Sequence, residues 1–145
     1  MITDTEIANK AGPLTDAKYS LGNVSAGFDC ISGLIEFYGD RFPNEFKGIT
    51  RETYPEFWRK NEKRAREVLA EFLFSVGDEV DKRYVLRGDL IVFSSVDGDF
   101  WSGIYLGDSR LWVCAGEKGG CSIINMHQLL KMTNHKIASV RRILR

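Results

Sequence analysis

The chain has 145 residues, 28% charged and 43% hydrophobic, with 20 Lys and Arg set against 20 Asp and Glu. This is the composition of a single soluble globular domain, residues 1–145, with a core of its own. The zero net charge leaves no basic excess for nucleic acid and no basic run for an anionic membrane surface, and the apolar stretches are too short to span a bilayer. The opening run MITDTEIANK is acidic and polar, unlike a secretory leader, so synthesis in a cytoplasm is expected. Three cysteines, odd in number and widely spaced, do not form the pattern of a disulfide framework.

In chain order, the first element is a helix entered at Thr3. Glu6 stands three residues on, a capping-box pattern, and Gly12-Pro13 stops it. The stretch NVSAGFDCISGLIEFY, residues 23–38, places Cys30 directly before a helical stripe of Ile31, Leu34, Ile35 and Tyr38, with Gly39 able to close the helix. The thiol has two readings. A cysteine is a small hydrophobe that packs well. A cysteine in the first helical turn also sits among unpaired N–H groups at the positive end of the dipole, which favours the thiolate. Asp29 is a natural N-cap. FPNEFKGITRETYP, with two prolines and a glycine, reads as a loop. A long helix over Asn61–Val76 comes next, with Ala65, Val68, Leu69, Phe72, Leu73 and Val76 on one face, Lys63, Arg64, Arg66 and Glu67 on a solvated one, and Gly77 as its stop.

The period then changes. Strands are predicted near 90–94, 100–106, 110–115, 121–125 and 137–144, with turns at DGD, GDSR and GEKGG and a short helix MHQLLKM before the last strand. Helices followed by antiparallel strands make an α+β fold.

Two segments, YSLGNVSAGFDCISGLIEFY and RGDLIVF with SGIYLGDSRLWVCA, resemble the NlpC family of cysteine peptidases, papain-like enzymes that cut peptidoglycan stem peptides. The resemblance implies a papain-like domain, with N-terminal helices packed on an antiparallel sheet of five to six strands and Cys30 as the nucleophile. It implies no metal or other cofactor. The chain departs from the family pattern in three places. Ile31 intervenes between Gly27-Phe28-Asp29-Cys30 and Ser32-Gly33-Leu34. Aligning on Gly103-Ile104-Tyr105 puts Trp101 where the pattern has its histidine base, with Ser102 beside it. The third polar position falls on Val113 or Cys114. An indole N–H only donates, so Trp101 cannot act as a base. His127 and His135 are the two histidines, and neither is where the family places its base; His127 is the better candidate for a relocated one.

The segment ITRETYPEFWRKNEKRAREVLAEFLFSVGDEVDKRYVLRGDLIVF resembles the insert of short NlpC-like proteins of phage tails and gene-transfer agents. This implies a virion tail location and tail-tip or hub proteins as partners, with peptidoglycan as a further candidate. Two functions are compatible with these features: a structural tail-tip component on a degenerate peptidase domain, or an active stem-peptide endopeptidase using Cys30. For the first, Tyr19, Phe100, Trp101 and Trp112 are the expected docking aromatics along the former cleft, against the alternative that the strand aromatics are core. Cys114 and Cys121 flank one turn and can face each other; a disulfide between them is not expected in a reducing compartment, and C-x-x-C metal spacing is absent.

Overall fold

In the computed structural model, residues 3–12, 30–43, 45–50, 52–114 and 121–144 are described. Helix α1 covers Asp4–Ala11 and has the expected capping box: the Thr3 side chain accepts from the Glu6 N–H, and the Glu6 carboxylate accepts from the Thr3 N–H at 2.8 Å. Helix α2 covers Cys30–Tyr38. The segment read as a loop holds a two-residue hairpin, β1 (Glu45–Phe46) and β2 (Ile49–Thr50), and then helix α3 over Tyr54–Lys60. Pro55 signals a break in sequence but stands in the first turn of α3, where a missing N–H costs nothing. Helix α4 covers Glu62–Ser75, capped by the Asn61 side chain on the Arg64 N–H. It buries Ala65, Val68, Phe72 and Leu73. Gly77, at φ +62°, ends it; a Cβ there would lie 2.6 Å from the Arg142 carbonyl oxygen.

Beyond α4 come strands β3 (Asp78–Val80), β4 (Leu90–Ser94), β5 (Phe100–Gly107), β6 (Arg110–Cys114) and β7 (Cys121–Asn125). Helix α5 (Met126–Met132) and β8 (Lys136–Arg142) complete the chain order. The main sheet has six strands in the order β3-β8-β4-β5-β6-β7, every neighbouring pair antiparallel. The sheet and helices together are the α+β architecture expected from the sequence. The β5–β6 turn has Asp108 and Ser109 both at positive φ, the twist that a two-residue hairpin prefers.

The sheet has two covered faces. On one, α1, α2 and α4 bring Ile7, Leu34, Phe37, Tyr38, Phe72 and Leu73 against Leu90, Val92, Ile104, Leu106, Trp112 and Cys121. On the other, Ile91, Phe93, Leu111 and Val113 lie beneath Met126, Leu129 and Leu130 of α5. Each side chain of this size, once buried, contributes about 1.5–3 kcal/mol.

The Gly-Asp-Leu run at the head of β4 has a structural role. Asp89 is 2% exposed. Its carboxylate accepts from Arg142 Nε at 3.0 Å and Nη2 at 2.8 Å, and from the Leu86 N–H at 2.8 Å. The bidentate fork raises the Arg142 pKa above its ordinary value. The Tyr38 hydroxyl donates to the Gly88 carbonyl at 2.9 Å, and burial, then the Asp89 charge, pushes the Tyr38 pKa well up. One turn therefore joins α2, β4 and β8. Asp89→Ala leaves the Leu86 N–H without its acceptor and the Arg142 guanidinium with the Tyr84 carbonyl in place of a carboxylate, and is expected to cost about 3 kcal/mol of stability, read from urea unfolding.

Candidate functional site

The site suggested by the sequence is the start of α2 and the sheet face beneath it. Cys30 is the first residue of α2. Tyr19, Asp29 and the Cys30 side chain lie outside the described residues. The Ser-Gly-Leu run of α2 is accounted for by its contacts. The Ser32 hydroxyl is 2% exposed and 3.0 Å from the Tyr54 hydroxyl, a buried tie between α2 and α3. Gly33 lies on the Trp112 indole: a Cβ at residue 33 would be 2.1 Å from its Cη2. Leu34 and Phe37 are wholly buried against the sheet. Lys10 donates to the Phe37 carbonyl at 3.1 Å and fixes α1 to the same helix.

Which strand residues can meet α2 is decided by alternation along each strand. Ser102 pairs with Val92, and Ile104 with Leu90 and Trp112, so these stand on the α2 face. Cys114 pairs with Cys121 and packs against the same cluster. Trp101 is on the other face. Its ring stacks on Phe93 at 4.3 Å and 18°, and His135 meets it edge-on at 5.4 Å. The Trp101 indole N–H and His135 Nδ1 are buried without a hydrogen-bond partner among the described residues. His127 is exposed on α5, which covers that same far face. Both histidines of the chain are thus separated from α2 by the sheet.

These positions correct the expected docking surface. Trp112 is 2% exposed and is the floor of α2, so it cannot be a rim residue. Trp101 is partly buried in the second core, the reading set against docking. Phe100 alone of the described aromatics in that set is exposed, at 38%, and it leans on Phe74 of α4 in a T-shaped contact at 5.0 Å. A signal for this was present in sequence: the unbroken apolar run Leu90–Phe93 belongs to a strand covered on both faces.

Beside α2 lies an apolar pocket of about 120 Å³. Ile31 and Ile35 of α2 form one wall, and Phe46, Phe57, Leu69 and Phe72 of the hairpin, α3 and α4 form the others. The additional residue Ile31 therefore faces the pocket shared with the middle segment. Among the described residues no group of three or more His, Cys, Asp or Glu is placed to hold a metal ion.

No protein-family model matches the sequence. No curated protein matches it by sequence. Solved structures match it in fold. An NlpC/P60 family protein from Bacillus cereus ATCC 10987 superposes with a TM-score of 0.62 at 20% identity, over 99% of this chain and 41% of that one. The NlpC/p60 domain of the peptidoglycan hydrolase SagA gives 0.60 at 16% identity, over 97% of this chain and 99% of that domain. The peptidoglycan hydrolase RipB of Mycobacterium tuberculosis gives 0.54 at 19% identity, over 98% and 65%. The chain thus spans about two-fifths of the Bacillus protein and nearly all of the SagA domain. These likenesses show the fold to be of the NlpC/P60 type.

The Gly33–Trp112 contact makes a testable pair. Gly33→Ala forces α2 off the indole and is expected to cost about 1–3 kcal/mol or more by overpacking. Trp112→Phe removes the ring edge that the new methyl meets. In urea unfolding, the double variant should lose clearly less than the two single losses added together; additive losses would show that the contact does not set the helix height.

Proposed function

We propose that this domain keeps the NlpC/P60 fold without the peptidase chemistry and serves as a structural component of a phage tail tip. The observation that carries the first half is the place of the two histidines. A cysteine nucleophile needs a base within hydrogen-bond reach, which afterwards returns the proton to the leaving amine. His135 is packed on Trp101 beneath the far face, and His127 is on α5 over that same face. A base on β5 for a thiol on α2 must stand on the α2 face, and there β5 presents Ser102 and Ile104. Neither has a basic nitrogen. A helix N-terminus can lower a thiol pKa, but it cannot carry a proton to the amine.

The tail location rests on the resemblance of residues 49–93 to the insert of short NlpC-like proteins of phage tails and gene-transfer agents. In this fold that segment supplies β2, α3, α4, β3 and β4, and it forms most of the pocket beside α2. A domain held by neighbouring tail-tip or hub proteins needs a folded surface and no substrate. A second reading, a cell-wall endopeptidase with Cys30 as nucleophile, is favoured by the Gly-Phe-Asp-Cys run and by the hydrolase names of SagA and RipB.

A muropeptide digest separates the two. With a known stem-peptide hydrolase as positive control, neither the wild type nor Cys30→Ala is expected to release cleaved stem peptides. Cleavage by the wild type that disappears in Cys30→Ala would overturn the pseudoenzyme reading. The pH profile of Cys30 alkylation should correspondingly show a thiol titrating at about 8.5 or above, the value of an unactivated cysteine. Particle proteomics tests the location: the protein should copurify with tails at fixed stoichiometry, and its absence from purified particles would remove the tail assignment.

A further inference from the structure

Strands β6 and β7 are joined through residues 115–120 and paired in register from Arg110↔Asn125 to Cys114↔Cys121. The last of these pairs puts two thiols directly opposite each other. Their sulfurs are 2.7 Å apart. Directly opposed residues of antiparallel strands have Cα separations of about 4.5–5.5 Å, inside the range that a disulfide bridges without backbone movement. Both side chains lie on the α2 face, Cys121 within the main core and Cys114 packed against it. Among the described residues, the strand that β7 pairs with is β6.

We propose that Cys114 and Cys121 are a reversible disulfide site that staples β7 to β6 when the protein meets an oxidising thiol pool. This inference does not depend on the tail assignment. The burial of the two residues sets the order of events. Cys121 is buried and Cys114 is partly exposed, so Cys114 meets the oxidant. The oxidant is a low-molecular-weight disulfide of the glutathione type. The Cys114 thiolate attacks one of its sulfurs, a protein–small-molecule disulfide forms, and one thiolate leaves. The Cys121 thiolate then attacks the Cys114 sulfur, the intramolecular S–S bond forms, and the second small thiolate leaves. Two electrons pass to the oxidant, and the two thiol protons leave with the two small thiols. Reduction by excess dithiol reverses both steps.

The sequence makes the product easy to read. Trypsin cuts after Lys18, Arg41, Arg110, Lys118 and Lys131, so Cys30, Cys114 and Cys121 fall in the separate peptides 19–41, 111–118 and 119–131. The full-length protein is equilibrated with glutathione disulfide, alkylated, unfolded and digested without reductant. Peptides 111–118 and 119–131 are expected as one linked species, lighter by two hydrogens than their sum, with Cys30 alkylated. The linked species should persist in Cys30→Ser and be absent from Cys114→Ser and Cys121→Ser. Closing a loop of this size should raise the melting temperature by roughly 5–10 °C over the reduced protein. Recovery of all three cysteines alkylated, or a link that includes peptide 19–41 in place of the 111–118/119–131 pair, overturns the proposal. Because the wild-type peptide map decides, the result stands even if a serine variant folds poorly.

Discussion

A strand residue can serve only one face of its sheet, and most of what this domain can and cannot do stems from that. The central strands are covered on both sides, by α1, α2 and α4 on one and by α5 on the other. Every side chain that would act with α2 must have the parity of Val92, Ser102, Ile104, Trp112 and Cys121. A shift of one residue along β5 exchanges Ser102 for Trp101 and moves the group through the thickness of the sheet. An alignment column fixes sequence position; the pleat fixes which face receives the side chain.

Much of the fold was legible because the signals are local. The capping box of α1, the apolar stripe of α4 and the glycine and aspartate turns between β4, β5 and β6 each lie within a few residues of sequence. The elements that escaped are those without a local pattern. β3 is three residues long and, among the described residues, pairs with β8, some sixty residues away. β1 and β2 have two residues each. Helix α3 was hidden because a proline is a breaker inside a helix and a neutral residue at its start. The candidate site was less legible for a related reason. Alternation shows that Phe100 and Trp101 point opposite ways, but which way α2 lies is settled by contacts far apart in the chain. Trp112 makes the same point: as an aromatic near the expected groove it suggested a surface, and the glycine that rests on it made it the floor.

The residues after Cys30 divide cleanly by role. Gly33 sets how closely α2 approaches the sheet, Ser32 ties it to α3 through Tyr54, and Leu34 and Phe37 fill the space beneath. None of these roles requires a reactive thiol. The Gly-Asp-Leu run of β4 is likewise accounted for by the Asp89–Arg142 fork and the turn it closes. The Ser-Gly-Leu and Gly-Asp-Leu runs thus have packing and hydrogen-bonding roles in this fold that are independent of any chemistry at Cys30.

The position of β8 has a consequence for how the chain comes to be built. It lies between β3 and β4, although it is the latest strand in chain order. On a ribosome, β4 to β7 can zip as a meander as soon as they emerge, since each pairs with the next. β3 has to wait, its hydrogen-bonding edge open, until residues 136–142 arrive to fill the gap. Arg141 then binds the Val76 and Gly77 carbonyls, and Arg142 engages Asp89, so one dipeptide locks the end of α4, β3 and β4 in a single event. The nascent protein therefore passes through a stage with most of its core residues synthesised and its sheet divided, when chaperone contact or premature pairing with another chain matters most.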